Sequence, residues 1–211
     1  PIDKSVKLIK PRRLHGSHMG LICPAETPEG GSVGVVKNAT LSCSITIDTP
    51  EDPILQLLID HDTILIEEIE IEEITNEHMK VFVNGNFIGF HTNPYHITEF
   101  LIHQRRKGAI SNTASIRYNI NAKEINIYTD CGRPYRPLFI VKNNKLNITL
   151  QDLEDIAKKK IGWRDLIVRG AIEYLDTEEE ESSLIAMNMD VLNSGKGNYT
   201  HCEIDESFTL L

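Results

Sequence analysis

Lys4, Lys7, Lys10 and Arg12 stand two or three residues apart at the head of the chain, and closely spaced cations of this kind can hold a phosphate backbone. Residues 1–37 carry six Lys and Arg against Asp3, Glu26 and Glu29, a net of +3, whereas the whole 211-residue chain stands at −9. The remainder therefore carries −12. Phosphate binding depends on local positive charge, not on the average, so the first segment suits a nucleic-acid surface and the acidic remainder does not. No complete catalytic set accompanies these cations. Phosphoryl or nucleotidyl transfer needs carboxylates gathered around Mg²⁺. The carboxylates here alternate with aliphatic residues along 64–74 or run together at Glu178, Glu179, Glu180 and Glu181, which read as solvated surface. Gly195-Lys196-Gly197 is too short for a phosphate loop, and nothing near His96 or His103 completes a metal site. Cys23, Cys43, Cys131 and Cys202 are scattered, which argues against zinc and for reduced thiols.

The segment 20–38 is the most constrained part of the chain. It holds Pro24, Pro28, four glycines and the carboxylates Glu26 and Glu29. Each proline locks its own φ and drives the preceding residue, Cys23 or Thr27, out of the helical region. Gly30, Gly31 and Gly34 allow positive φ or the close approach of another strand. The result is a rigid loop, read either as a turn between core strands or as a functional loop on a scaffold.

The elements that must carry this loop read as mixed. Residues 35–47 are rich in β-branched side chains and read as strands. A short helix spans 54–60 with Pro53 in its first turn, and 64–74 alternates as a half-exposed strand. Asn84-Gly85 between apolar runs signals a hairpin. Pro94 opens a helix that Gly108 closes, with Ile97, Phe100, Leu101 and Gln104 inward and Arg105, Arg106 and Lys107 favourably placed at its negative end. Residues 116–128 and 138–141 read as strands, Asn143-Asn144 as a turn, 151–160 and 163–169 as helices, and 199–204 as a final strand after a flexible 194–198. The expected fold is α+β: mixed, irregular, strand-rich domains with short helices. No apolar run reaches the roughly 18 residues of a membrane helix, and no secretory signal opens the chain.

The order of motifs resembles a known family. The stretch from Gly20 through Cys23-Pro24-Ala25-Glu26-Thr27-Pro28-Glu29-Gly30 to Lys37-Asn38 is similar to the fork region of the second-largest subunit of multisubunit DNA-dependent RNA polymerases. Lys7 to Arg12, Leu14-His15, Val81 to Gly85, Arg105 to Gly108, Thr129-Asp130 with Gly132-Arg133, Tyr135 to Val141, Glu173-Tyr174 with Asp176, the acidic run, and Thr200 to Ile204 follow in family order. Gly16-Ser17-His18-Met19 spells a common cloning scar. It lies inside the motif, however, and reads as native. The likeness is to the eukaryotic, archaeal and viral branch and spans almost the whole chain.

The resemblance implies a fork region at 1–47, an external 1-like region at 48–141, an external 2-like region at 142–194, and the start of a hybrid-binding region at 195–211. Lys4, Lys7 and Lys10 would meet DNA, and Arg12 would support the loop. The tip Asp3-Lys4-Ser5-Val6 departs from the glycine-bearing tip of cellular relatives. Glu29 would lie near the nucleotide-addition site and position an arginine of a neighbouring element. Pro24, Thr27, Pro28 and Gly30 would shape the loop. Mg²⁺ would be held mainly by the largest subunit, with no metal site here, and this chain by itself would be inactive. Implied partners are the largest and other polymerase subunits, template and non-template DNA, the RNA–DNA hybrid and ribonucleoside triphosphates, with no membrane. The setting would be a nucleus, or a viral factory or virion for a viral genome. The alternative is a non-catalytic docking module for transcription factors or other subunits.

Overall fold

The computed structural model describes residues 8–69, 78–195 and 197–210. Residues 8–43 form turns and loop that lead into β1 (Ser44–Ile45). Strand pairing expected over 35–47 is confined to β1 and one bridge between Ile22 and Ala39, because the segment bonds to distant backbone instead. Leu41 and Ser42 donate to the carbonyls of Leu210 and Phe208, and Thr46 to that of Arg133.

A five-stranded lobe follows. Pro53 starts helix α1 (Asp52–Asp60), which leads to β2 (Ile64–Leu65). The rest of the expected strand beyond residue 69 lies outside the described residues. Strands β3 (Met79–Val83) and β4 (Asn86–His91) form the hairpin, with Asn84 and Gly85 at φ 49° and 80° as the turn requires. Helix α2 (Pro94–Lys107) is capped by the Asn93 side chain and ends at the left-handed Gly108. Residues 116–128 are two strands, β5 (Ser115–Asn119) and β6 (Glu124–Tyr128), folded back at Lys123 with φ 56°. The sheet order is β2-β4-β3-β6-β5, with β3 and β6 parallel. Val81, Val83, Ile125 and Ile127 alternate onto one face. There they meet Ile54, Leu58, Ile97 and Leu101 of the two helices in a single buried core.

The second lobe is organised on β7 (Pro134–Lys142). Asn143 and Asn144, both at positive φ, turn it into β8 (Lys145–Leu146). Helices α3 (Leu150–Ala157) and α4 (Trp163–Val168) precede β9 (Ile172–Asp176). The one-turn helix α5 (Thr177–Glu180), β10 (Ile185–Ala186), α6 (Met189–Asn193) and β11 (His201–Cys202) complete it. β9 runs antiparallel along one edge of β7, while β1 and β11 share the other. The architecture is α+β, as expected from the sequence.

Candidate functional site

The loop 20–38 is held together by polar side chains of its own and of the preceding turn. Arg12 Nη1 donates to the carbonyls of Gly31 at 2.8 Å and Val33 at 2.9 Å. Thr27 Oγ1 accepts from the Gly34 amide at 2.8 Å and donates to the Val36 carbonyl at 3.1 Å. Lys37 Nζ reaches the carbonyls of Pro11 and Gly34. Gly34 sits at φ +69°, and a Cβ there would come within 2.3 Å of the Arg12 carbonyl oxygen, so the two passes of chain touch backbone to backbone. Beneath the loop, His18 is lowered by burial and by neighbouring Lys37 and His15.

Of the residues singled out in the sequence, Lys4 and Lys7 lie outside the described residues. Lys10 is exposed in a short 3-10 turn, and Arg12 is half-buried. Pro24 and Pro28 are exposed on the loop, and Gly30 adopts φ +86°. Glu29 is exposed and opens the 3-10 turn Gly30–Ser32 without capping it. Among the described residues it makes no hydrogen bond or ion pair, so within them it has no arginine to position and no structural salt bridge.

The base of the loop rests on buried charge. Thr40 and Ser42 donate to the Gly20 carbonyl. A Cβ on Gly20 would lie 2.4 Å from the Arg136 guanidinium carbon. Arg136, itself buried, binds Glu203 and, at 2.7 Å, Glu180.

Arg136, within the second lobe, adjoins a belt of ion pairs between the lobes that sequence reasoning missed. The other four arginines between positions 105 and 136 take part. Arg105 bonds both oxygens of Glu179 at 2.7 Å and also binds Glu173. Arg106 binds Glu173 at 2.7 Å. Arg117 grips Glu178 and Glu181, and Arg133 binds Asp176 at 2.6 Å. Asp176 also accepts from Ser115 and from the Glu179 amide, which caps α5.

The acidic run is therefore not simply solvated surface: Glu179 is buried, while Glu178 and Glu181 stay partly in water as they pair with Arg117. A one-turn helix sends Glu179 inward to Arg105, Glu180 to Arg136, and the flanking Glu178 and Glu181 to Arg117. Arg105 likewise does more than complement a helix end, since its guanidinium leaves α2 to bond the other lobe. The available signal was the concentration of arginines between 105 and 136, whose planar fork suits bidentate pairing, together with a carboxylate cluster farther along the chain.

Two carboxylates share Arg105, and their environments separate them. Burial alone would raise Glu173, but Arg105, His201 and Arg106 hold it well below the usual carboxylate range. Burial pushes Glu179 up to about 7 against the pull of Arg105, with Glu173 and Asp176 adding to the rise. A raised carboxyl contributes stability that is complete below its unfolded value and is lost as pH rises through the folded one. Stability is thus expected to fall between about pH 4.5 and about pH 7, and Glu179→Gln should flatten that slope. Denaturant unfolding across this range, with a carboxyl-carbon NMR titration of Glu179, checks both. A slope unchanged in the variant would assign the pH dependence to another group.

Three family models match in succession: RNA polymerase Rpb2, domain 3, on residues 1–45; domain 4 on 81–142; and domain 5 on 163–205. The chain is 41% identical, over its whole length, to the DNA-directed RNA polymerase II subunit RPB2 of Encephalitozoon cuniculi. The chain belongs to the family of second-largest RNA polymerase subunits. It is also 40% identical over its whole length to the DNA-directed RNA polymerase II subunit 2 of Arabidopsis thaliana. Its identity to the subunit Rpo2 of Saccharolobus solfataricus is 34%, over 92% of the chain. The chain spans 18–19% of the length of these three relatives. Among the described residues of this second-largest-subunit chain, no group of three or more His, Cys, Asp or Glu could hold a metal ion. No described helix is long and apolar enough to cross a membrane.

Proposed function

We propose that this chain contributes to DNA-templated transcription by holding downstream DNA and bordering the nucleotide-addition site of a multisubunit RNA polymerase. Exposed Lys10, with Lys4 and Lys7, would contact the DNA backbone, and Arg12 would brace the loop. Glu29 would pair with an arginine of a neighbouring element. Pro24, Thr27, Pro28 and Gly30 would set the loop's shape. Mg²⁺, which nucleotidyl transfer requires, would be held mainly by the largest subunit, as the family resemblance implies. The regions 1–47, 48–141, 142–194 and 195–211 would correspond to fork, external 1, external 2 and hybrid-binding parts. Partners would be the other subunits, template and non-template DNA, the RNA–DNA hybrid and ribonucleoside triphosphates. The eukaryotic relatives favour a nucleus as the setting.

One observation supports this reading most. Thr27 and Lys37 spend their polar groups inside the loop and Arg12 donates to two of its carbonyls, whereas Glu29 stands exposed with no partner among the described residues. A rigid loop presenting an unspent carboxylate is suited to a partner outside the chain. In the assembled polymerase, Glu29→Ala is expected to change elongation rate or misincorporation about tenfold, as loss of one charge-assisted hydrogen bond would. Transcript extension on a pre-formed RNA–DNA scaffold reads this directly. Unchanged rate and fidelity with normal assembly would leave a scaffold role alone. The docking-module alternative has less acidic surface to work with, since Glu179 and Glu180 are consumed by Arg105 and Arg136.

A further inference from the structure

Helices α2 and α4 pack beside one another and leave a cleft of about 470 Å³. Its apolar wall comes from Ile110, Ile167 and Val168, and its rim carries Trp163, Arg106 and Arg164. The chain beyond residue 37 carries −12, so a cationic cleft here stands against its surroundings. The Arg164 side chain has no ion pair or hydrogen bond among the described residues. Arg106 spends Nε and one terminal nitrogen on Glu173 and keeps the other uncommitted. Neighbouring Lys107, at the end of α2, is also without an ion pair among the described residues. The Trp163 indole is 46% exposed, yet its N–H donates to the Tyr174 hydroxyl at 2.9 Å, which holds the ring in place. A pre-positioned aromatic beside arginines and a small apolar recess is the composition of a binding hot spot.

We propose that this cleft docks a short acidic peptide segment of a partner protein, with aliphatic or aromatic side chains between its carboxylates. An apolar side chain would enter against Ile167 and Val168 and stack on Trp163, while flanking carboxylates would bond Arg164 and the free edge of Arg106. Charge complementarity selects acid over base. The recess favours a peptide over a nucleic-acid strand, since a phosphate backbone needs a longer cationic track than these few residues supply. This inference is independent of the reading of residues 8–38.

Trp163 is the only tryptophan in the chain, so its fluorescence reports the cleft. The 211-residue chain would be titrated with a synthetic peptide alternating Asp with Leu and Phe. The same sequence with Lys replacing Asp, and an oligothymidylate, would be titrated in parallel. The acidic peptide is expected to give a saturable change in Trp163 emission that weakens with salt. Arg164→Glu should lower the affinity about tenfold without altering the unfolding midpoint, because Arg164 has no partner to lose. No saturable response, equal binding of the Lys peptide, or unchanged affinity in the Arg164→Glu chain would overturn the proposal. So would oligothymidylate binding as tightly with the same Arg164 dependence, which would make this a nucleic-acid surface.

Discussion

Replacing Arg105 by Met is expected to cost about 3–5 kcal/mol of folding stability, the range for removing one member of a buried ion pair. Arg105 is 3% exposed, and its guanidinium serves Glu179, Glu173 and the Ala114 carbonyl together. Without it, Glu173 keeps Arg106 and His201, but Glu179 loses its only ion-pair partner among the described residues. Removing Glu179 as well, as Arg105→Met with Glu179→Gln, should restore a large part of the loss. The single variant should be hurt less in mild acid, where Glu179 takes a proton. Denaturant unfolding of the two variants and the parent chain at two pH values tests this. A loss below about 1 kcal/mol for Arg105→Met would mean that the belt behaves like a surface network. Such pairs need not add net stability over an apolar contact.

Gly34→Ala should disturb the loop far more than its size suggests. Its φ of +69° alone costs an alanine about 1–2 kcal/mol. The added methyl would also sit 2.3 Å from the Arg12 carbonyl oxygen, and neither atom belongs to a side chain that can swing away. The backbone must part, carrying residues 29–34 away from residues 10–13 and breaking the Arg12 bonds to Gly31 and Val33. Gly30→Ala is the control, since it shares the positive φ but meets nothing within 4 Å. In the assembled polymerase, Gly34→Ala is expected to impair transcript extension more than Glu29→Ala, by about a hundredfold if the loop shifts by an ångström or so. Gly30→Ala, which carries the strain of a positive φ without the backbone clash, should impair extension much less than Gly34→Ala. Equal effects of the two glycine variants would show that strain, not the Arg12 contact, governs the loop.

Much of the secondary structure was readable because local chemistry dictates it. Pro94 and Gly108 bracket α2, Asn84-Gly85 and Asn143-Asn144 turn their hairpins, and Val81, Val83, Ile125 and Ile127 alternate onto the core. Two readings failed where tertiary partners outweighed propensity. The β-branched run 35–47 gave up strand pairing to bond the chain's far end at Phe208 and Leu210. The apparent single strand 116–128 folded back at Lys123, which let β6 lie parallel to β3.

The amino-acid sequence by itself determined the α+β class, the rigidity of the loop at 20–38, the +3 charge of its leading segment and the family to which the chain belongs. Only the tertiary structure decided what the carboxylates do. A run of four glutamates looks the same in sequence whether it faces water or arginine, and the partners of 178–181 lie 44 to 74 residues away. That separation is set by the packing of β7 against β9 and of α2 against the second lobe, which no local pattern encodes. For the same reason the carboxylates of Glu26 and Glu29 could be seen to be exposed and without a side-chain partner among the described residues only once Arg12, Thr27 and Lys37 were placed.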